Sequence, residues 1–160
     1  MLDLIIGMGE YVVTDNENAL IRTFALASCV AVTVYSPLKK VSGMIHVVLP
    51  APLDDGDGKS RPGYFAETGI PLLIDAMCRQ YGCCKEELQV QMYGGAESML
   101  SLDIYNIGKK NIDTVKKALS EIGLTIQKTD LRGNESRSIS MEAKTGLVVV
   151  HRQPIINRII

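Results

Sequence analysis

The stretch SCVAVTVYSPLKKVSGMIHVVL, residues 28–49, decides the fold class. Residues 28–35 and 42–49 are rich in Val, Ile and Thr, and SPLKKV between them has turn character. The two runs are therefore expected to pair as a β-hairpin. Just upstream, TFALASCVAVTVY, residues 23–35, reads as a buried strand. Working outward, EYVVT at 10–14 reads as a short strand. Residues 64–82 read as a helix, with Leu72, Leu73, Ala76 and Met77 on one face and Gly82 suited to its end. Pro71 is that helix's weak point. Residues 88–93 read as a strand broken by Gly94-Gly95. Residues 106–122 have a strong helical period in Ile112, Val115, Leu119 and Ile122, with Asn106 as a cap and Gly123 as the stop. Strands are expected near 124–129, 137–142 and 146–151, with Thr145-Gly146 as a turn. Strands first, then helix and strand alternating, then strands again, favour a layered α+β fold over a uniformly wound parallel sheet.

The chain has 160 residues, 46% of them hydrophobic, enough for one domain over residues 1–160 and short for two. Charged residues make up 22%, the net charge is −1, and Lys and Arg form no stripe. Trp is absent. Nucleic acid is not an expected partner. No secretory signal is visible, and the uncharged run between Arg22 and Lys39 is too short and polar to span a bilayer. A soluble, cytoplasmic protein without membrane insertion is expected. Residues 50–63, PAPLDDGDGKSRPG, read as an irregular surface loop.

Four cysteines, Cys29, Cys78, Cys83 and Cys84, read as free thiols. The last three lack a fourth ligand and zinc-knuckle spacing, so helix packing is the reading and no metal is expected. GMG at 7–9 fails as a dinucleotide fingerprint, because the third glycine would fall at Val12. GGA at 94–96 reads as a tight turn or close backbone approach. Asn106, Asn111, Asn134 and Arg137 read as helix and turn caps or as groups supporting a site.

Taken singly, Cys29 and His46 are ordinary core residues. As members of one hairpin they fall near its same end. A thiol is a weak nucleophile at neutral pH, a nearby imidazolium stabilises the thiolate, and the imidazole can then protonate a leaving group. Thr23 offers a hydroxyl to orient the ring from an adjoining strand. A thiol peroxidase or redox sensor fits less well, since Cys29 has no nearby resolving cysteine.

With these residues in view, the sequence resembles the CheD family of bacterial chemotaxis proteins, chemoreceptor glutamine deamidases. The likeness runs from GMGEYVVT to GLVVVHR. LASCVAV at 26–32 resembles the family's segment around its nucleophilic Cys, and GMIHVVLP at 43–50 its catalytic His segment. Thr23 stands where the family has its third active-site residue. YGGAESM, NIGKKN and DLRGNESRS match later blocks. Ala27 stands where the family usually has Gly. The resemblance implies mixed β-sheets flanked by helices, like the related toxin deamidases, and a catalytic Cys29, His46 and Thr23. Ser28, Gly94 and Gly95 would bind substrate or support the site. It implies conversion of Gln to Glu with release of ammonia through a Cys thioester, and glutamyl methyl ester hydrolysis by the same groups. No metal or organic cofactor is implied. The implied partners are cytoplasmic helices of chemoreceptors (methyl-accepting chemotaxis proteins) and a CheC-type phosphatase. The alternative is an adaptor, weakly catalytic or not at all, that regulates such a phosphatase or receptor.

Overall fold

The computed structural model describes residues 1–97 and 105–155. Nine strands run in chain order: β1 (Leu2–Ile5), β2 (Tyr11–Thr14), β3 (Ala19–Leu26), β4 (Val30–Ser36), β5 (Val41–Val47), β6 (Gln89–Gly94), β7 (Ile126–Leu131), β8 (Glu135–Glu142) and β9 (Val148–Pro154). The helices are α1 (Asp55–Ser60), α2 (Ala66–Asp75), which continues as a π-turn over Ala76–Gln80, and α3 (Ile107–Ile122). Two sheets form, ordered β1-β3-β8-β9 and β2-β5-β4-β6-β7. Both are mixed: β1 with β3 and β6 with β7 pair parallel, the other neighbours antiparallel.

The expected hairpin is β4–β5, with Val30 opposite Val47 and Ser36 opposite Val41. These strands lie in the middle of the five-stranded sheet, and both faces are covered. Side chains alternate across a strand. Val30, Val32 and Val34 point to the helix side, where they meet Ile70 and Leu73 of α2 and Val115 and Leu119 of α3. Ala31 and Tyr35 point the other way, toward Ile21, Ile139 and Met141 of the four-stranded sheet. Burial on both faces explains why the stretch is a continuous apolar run rather than an alternating one. The architecture is thus three layers: helices, five-stranded sheet, four-stranded sheet.

Three expectations are corrected. Residues 23–35 are two strands in different sheets, because β3 ends at Leu26 and β4 starts at Val30. Strand β1 was not foreseen. The 50–63 stretch contains α1, capped by the Asp54 side chain accepting from the Asp57 N–H at 2.8 Å. Helix α3 stops as read. Gly123 is left-handed (φ 93), and its N–H donates to the Leu119 and Ser120 carbonyls. Asn106 occupies the α3 cap position but makes no side-chain cap, being itself left-handed (φ 48). Cys78 and Cys83 pack into the helix-side core and Cys84 is exposed. No helix among the described residues is long and apolar enough to cross a membrane.

Candidate active site

Thr23 and His46 come from different sheets and meet between them. In β3, Ala19, Ile21 and Thr23 point inward. A bulge then shifts the β3–β8 register between Thr23 and Leu26, and Ala25 takes φ 57. The extra residue turns Leu26 inward, opposite Arg137, and leaves Phe24 half-exposed. The Ala25 N–H donates to Ser138 Oγ at 3.0 Å, which holds the bulge against β8. Thr23 is therefore on the opposing sheet, not on a strand next to β4.

His46 lies in β5, directly opposite Ala31. Ala31 in turn faces Tyr93 of β6, so a small residue separates two rings on this face. His46 is 3% exposed. Its backbone is tied on both sides, to Gly9 N–H at 2.8 Å and to the Glu10 carbonyl at 3.1 Å. Its Nδ1 lies 2.7 Å from Thr23 Oγ1, and Oγ1 lies 2.8 Å from the Ile6 carbonyl. A carbonyl only accepts, so the single hydroxyl proton goes to Ile6. The hydroxyl oxygen then accepts from Nδ1–H. This fixes the tautomer and leaves the lone pair on Nε2. Nε2 is buried and has no hydrogen-bond partner among the described residues.

Cys29 precedes Ala31 by two and shares its face of the sheet, the face of His46. The thiol is half-buried and is not hydrogen-bonded to Nε2. Cys29 sits in the corner joining the two sheets rather than inside a strand. Three successive carbonyls of that corner are tied back. The Ala27 carbonyl accepts from Ala96 N–H (2.7 Å) and the Cys29 carbonyl from Gly95 N–H (2.8 Å). The Ser28 carbonyl accepts from Asn111 Nδ2 (2.9 Å). Among the described residues, no backbone carbonyl takes the N–H of Ser28 or Cys29. Gly94 has φ 107, and a Cβ there would stand 2.3 Å from the Cys29 carbonyl oxygen. Ala27 is outside the left-handed region, so its backbone does not require glycine.

Burial sets the ionisation. It pushes the Cys29 thiol up from 9.0, partly offset by the residue's own backbone N–H, and lowers His46 to about 4. The resting pair at neutral pH is thus thiol and neutral imidazole. Burial disfavours both the thiolate and the imidazolium, and so works against a resting ion pair. Sequence reasoning overlooked the Ile6 carbonyl and the bulge. It left Asn111 open between a cap and a group supporting a site, although an Asn inside the apolar stripe with Val115 and Ala118 was a usable signal for the second.

Thr23→Val, nearly isosteric, would leave Nδ1–H and the Ile6 carbonyl buried and unpaired. We expect it to cost about 1–3 kcal/mol of unfolding free energy. Turnover should fall by roughly tenfold to a hundredfold as the tautomer is released. Denaturant titration and steady-state kinetics measure the two effects.

The fold and these groups define a class: an α+β protein with a corner thiol and an oriented imidazole on one face of its five-stranded sheet. More particularly, the chain belongs to the CheD family, whose model, described as CheD chemotactic sensory transduction, matches residues 48–152. It is 46% identical over 153 residues to the probable chemoreceptor glutamine deamidase CheD of Syntrophotalea carbinolica, covering 94% of each chain. It is 38% identical to the probable chemoreceptor glutamine deamidase CheD 1 of Syntrophus aciditrophicus, over 94% of each chain. Identity to the chemoreceptor glutamine deamidase CheD of Thermotoga maritima is 36%, over 92% of this chain and 90% of the other. Among solved structures, the Bacillus licheniformis hypothetical protein YfiH overlays at a TM-score of 0.49, with 15% identity over 76% of this chain and 50% of that one.

Proposed function

We propose that this protein deamidates glutamine side chains on cytoplasmic helices of chemoreceptors, with Cys29 as nucleophile, His46 as proton carrier and Thr23 as orienting group. The observation that carries this reading is the His46 ring. One nitrogen is anchored on Thr23, and the other is unpartnered on the sheet face that Cys29 shares. As the Cys29 sulfur attacks the carboxamide carbon, its proton passes to Nε2. The Ser28 and Cys29 N–H groups donate to the oxyanion. Gly94 and Gly95 hold that corner in place. Collapse expels the nitrogen, which takes the proton from Nε2 and leaves as ammonia. A thioester remains on Cys29. His46 then takes a proton from water, hydroxide adds to the thioester carbonyl, and collapse releases Glu. The thiol recovers its proton from Nε2. The same steps hydrolyse a glutamyl methyl ester, with methanol as the leaving group. No step requires a metal or organic cofactor. The reading places the protein in the cytoplasm, as one domain, with a CheC-type phosphatase as its second partner.

The test is incubation with a receptor cytoplasmic fragment, reading ammonia release and Gln-to-Glu conversion by peptide mass. Its pH dependence follows from the neutral resting pair. His46 accepts a proton only when unprotonated, so kcat/KM should be level around neutrality and fall tenfold per pH unit below about 4. Alkylation of Cys29 by iodoacetamide should instead climb with pH to beyond 9.0. An alkylation plateau at neutral pH would reveal a resting ion pair and contradict the mechanism. A folded protein that binds the fragment without converting it would favour the adaptor reading.

A further inference from the structure

We infer that Asn111 is a positioning residue for this reaction, holding open the fork from which Cys29 and His46 are presented; the inference rests on the reading that Cys29 attacks. The β4–β5 ladder ends at the pair Val30–Val47. Beyond it the two chains part. Residues 28–29 turn toward the four-stranded sheet, and Val48 and Leu49 leave to donate to the Tyr64 carbonyl. Asn111, fully buried on the first turn and a half of α3, sits in the fork. Its Nδ2 donates to the Ser28 carbonyl at 2.9 Å and to the Val48 carbonyl at 2.9 Å. One carbonyl precedes Cys29 by one residue, and the other follows His46 by two. An amide nitrogen has two protons in a fixed plane. One group therefore sets the separation of the two arms where no ladder bond reaches.

The approach of α3 is itself built for this contact. A Cβ on Gly108 would lie 2.5 Å from the Ala96 carbonyl oxygen, and one on Gly95 would lie 2.4 Å from Ile112 Cδ1. The Gly108 clash is with backbone, which cannot yield cheaply, so the start of α3 lies directly against the end of β6. That is the strand end whose Gly95 N–H holds the Cys29 carbonyl. Gly108 and Asn111 are three residues apart and share a helix face. Asn111 Oδ1 is buried with no hydrogen-bond partner among the described residues. The structure thus tolerates an unpaired acceptor there while both donors are used, and a side chain serving packing alone would not need to be polar.

Two variants test this. Asn111→Asp keeps shape and volume but puts an acceptor in place of the donor, and Asn111→Ala removes the group. Alkylation by iodoacetamide is followed thiol by thiol by peptide mass, with buried Cys83 reporting global opening and exposed Cys84 serving as the reference. Turnover of the receptor fragment is measured alongside. We expect kcat to fall by about tenfold to a hundredfold at unchanged KM, the effect of displacing a reacting group by about 1 Å. Cys29 should react faster relative to Cys84, with Cys83 still protected. Parent-like Cys29 reactivity and parent-like kcat in both variants would overturn the inference. So would Cys83 becoming reactive together with Cys29 in both, since Asn111 would then belong to the scaffold as a whole. If the parent itself does not deamidate the fragment, the proposed function fails, while the alkylation arm still decides whether Asn111 holds the Cys29 corner in place.

Discussion

Cys29→Ala should reduce conversion of receptor Gln to Glu by roughly 10⁴-fold or more, with unfolding nearly unchanged. The reason for the first effect is that the proposed acyl intermediate forms on the Cys29 sulfur, which alanine lacks. The reason for the second is that the thiol is half-buried at a corner, so truncation opens little enclosed volume. His46→Ala should lose a comparable factor. The double variant should lose no more than either single one, because nucleophile and base act as a unit. Cys84→Ser, on the exposed thiol, should behave like the parent. Hydroxylamine added during turnover should divert product to the hydroxamate, since it competes with water for a thioester. Retention of most activity in Cys29→Ala, with the purified protein checked by mass, would require a different nucleophile and end the proposed mechanism.

Gly94→Ala should be the most damaging single-methyl change at the site. The added Cβ would stand 2.3 Å from the Cys29 carbonyl oxygen, and the backbone at φ 107 is one that L side chains rarely adopt. Neither the strand end nor the corner can yield cheaply. Moving Cys29 breaks its bond from Gly95 N–H and drags the bonds to Asn111 and Ala96. We expect a loss of about 3 kcal/mol or more in stability. Turnover should fall by about 10²-fold in the protein that remains folded. Gly82→Ala is the matched control. That glycine is also left-handed (φ 69) but has nothing within 4 Å of the added carbon, so only the backbone cost of about 1–2 kcal/mol applies. Turnover there should be unchanged. Equal kinetics in the two variants would show that Gly94 does not register the nucleophile.

The two predictions share one physical cause. Cys29 is not held by a ladder of its own but by bonds to three carbonyls from two separate elements, the end of β6 and the start of α3. Losing sulfur removes the chemistry and leaves the frame. Adding a methyl at Gly94 leaves the chemistry and moves the frame. Thermal unfolding and kinetics on the same samples separate these cases.

Residues whose environment is local were legible in the sequence. The 28–49 hairpin could be read because β-branched runs flank a turn, and its pairing brings Cys29 and His46 near the same end. Helix α3 could be read because its period and Gly123 agree. The break at residues 27–29 could not, because ASC continues the apolar character of the strands on either side and contains neither glycine nor proline. The bulge at Ala25 was hidden for a related reason: alanine does not signal a left-handed backbone, and here β8 holds it there through Ser138. Which sheet carries Thr23, how the two rings' neighbours crowd them, and the neutral state of the thiol and imidazole depend on distances between segments far apart in the chain. The amino-acid order by itself thus determined the 28–49 hairpin, helix α3, the nearness of thiol and imidazole at one end of that hairpin, and the family likeness. Tertiary packing alone decided the tautomer, the direction in which burial moves both ionisations and the clamp on Cys29, because burial and hydrogen bonding between sheets and helix exist only once those layers close on one another.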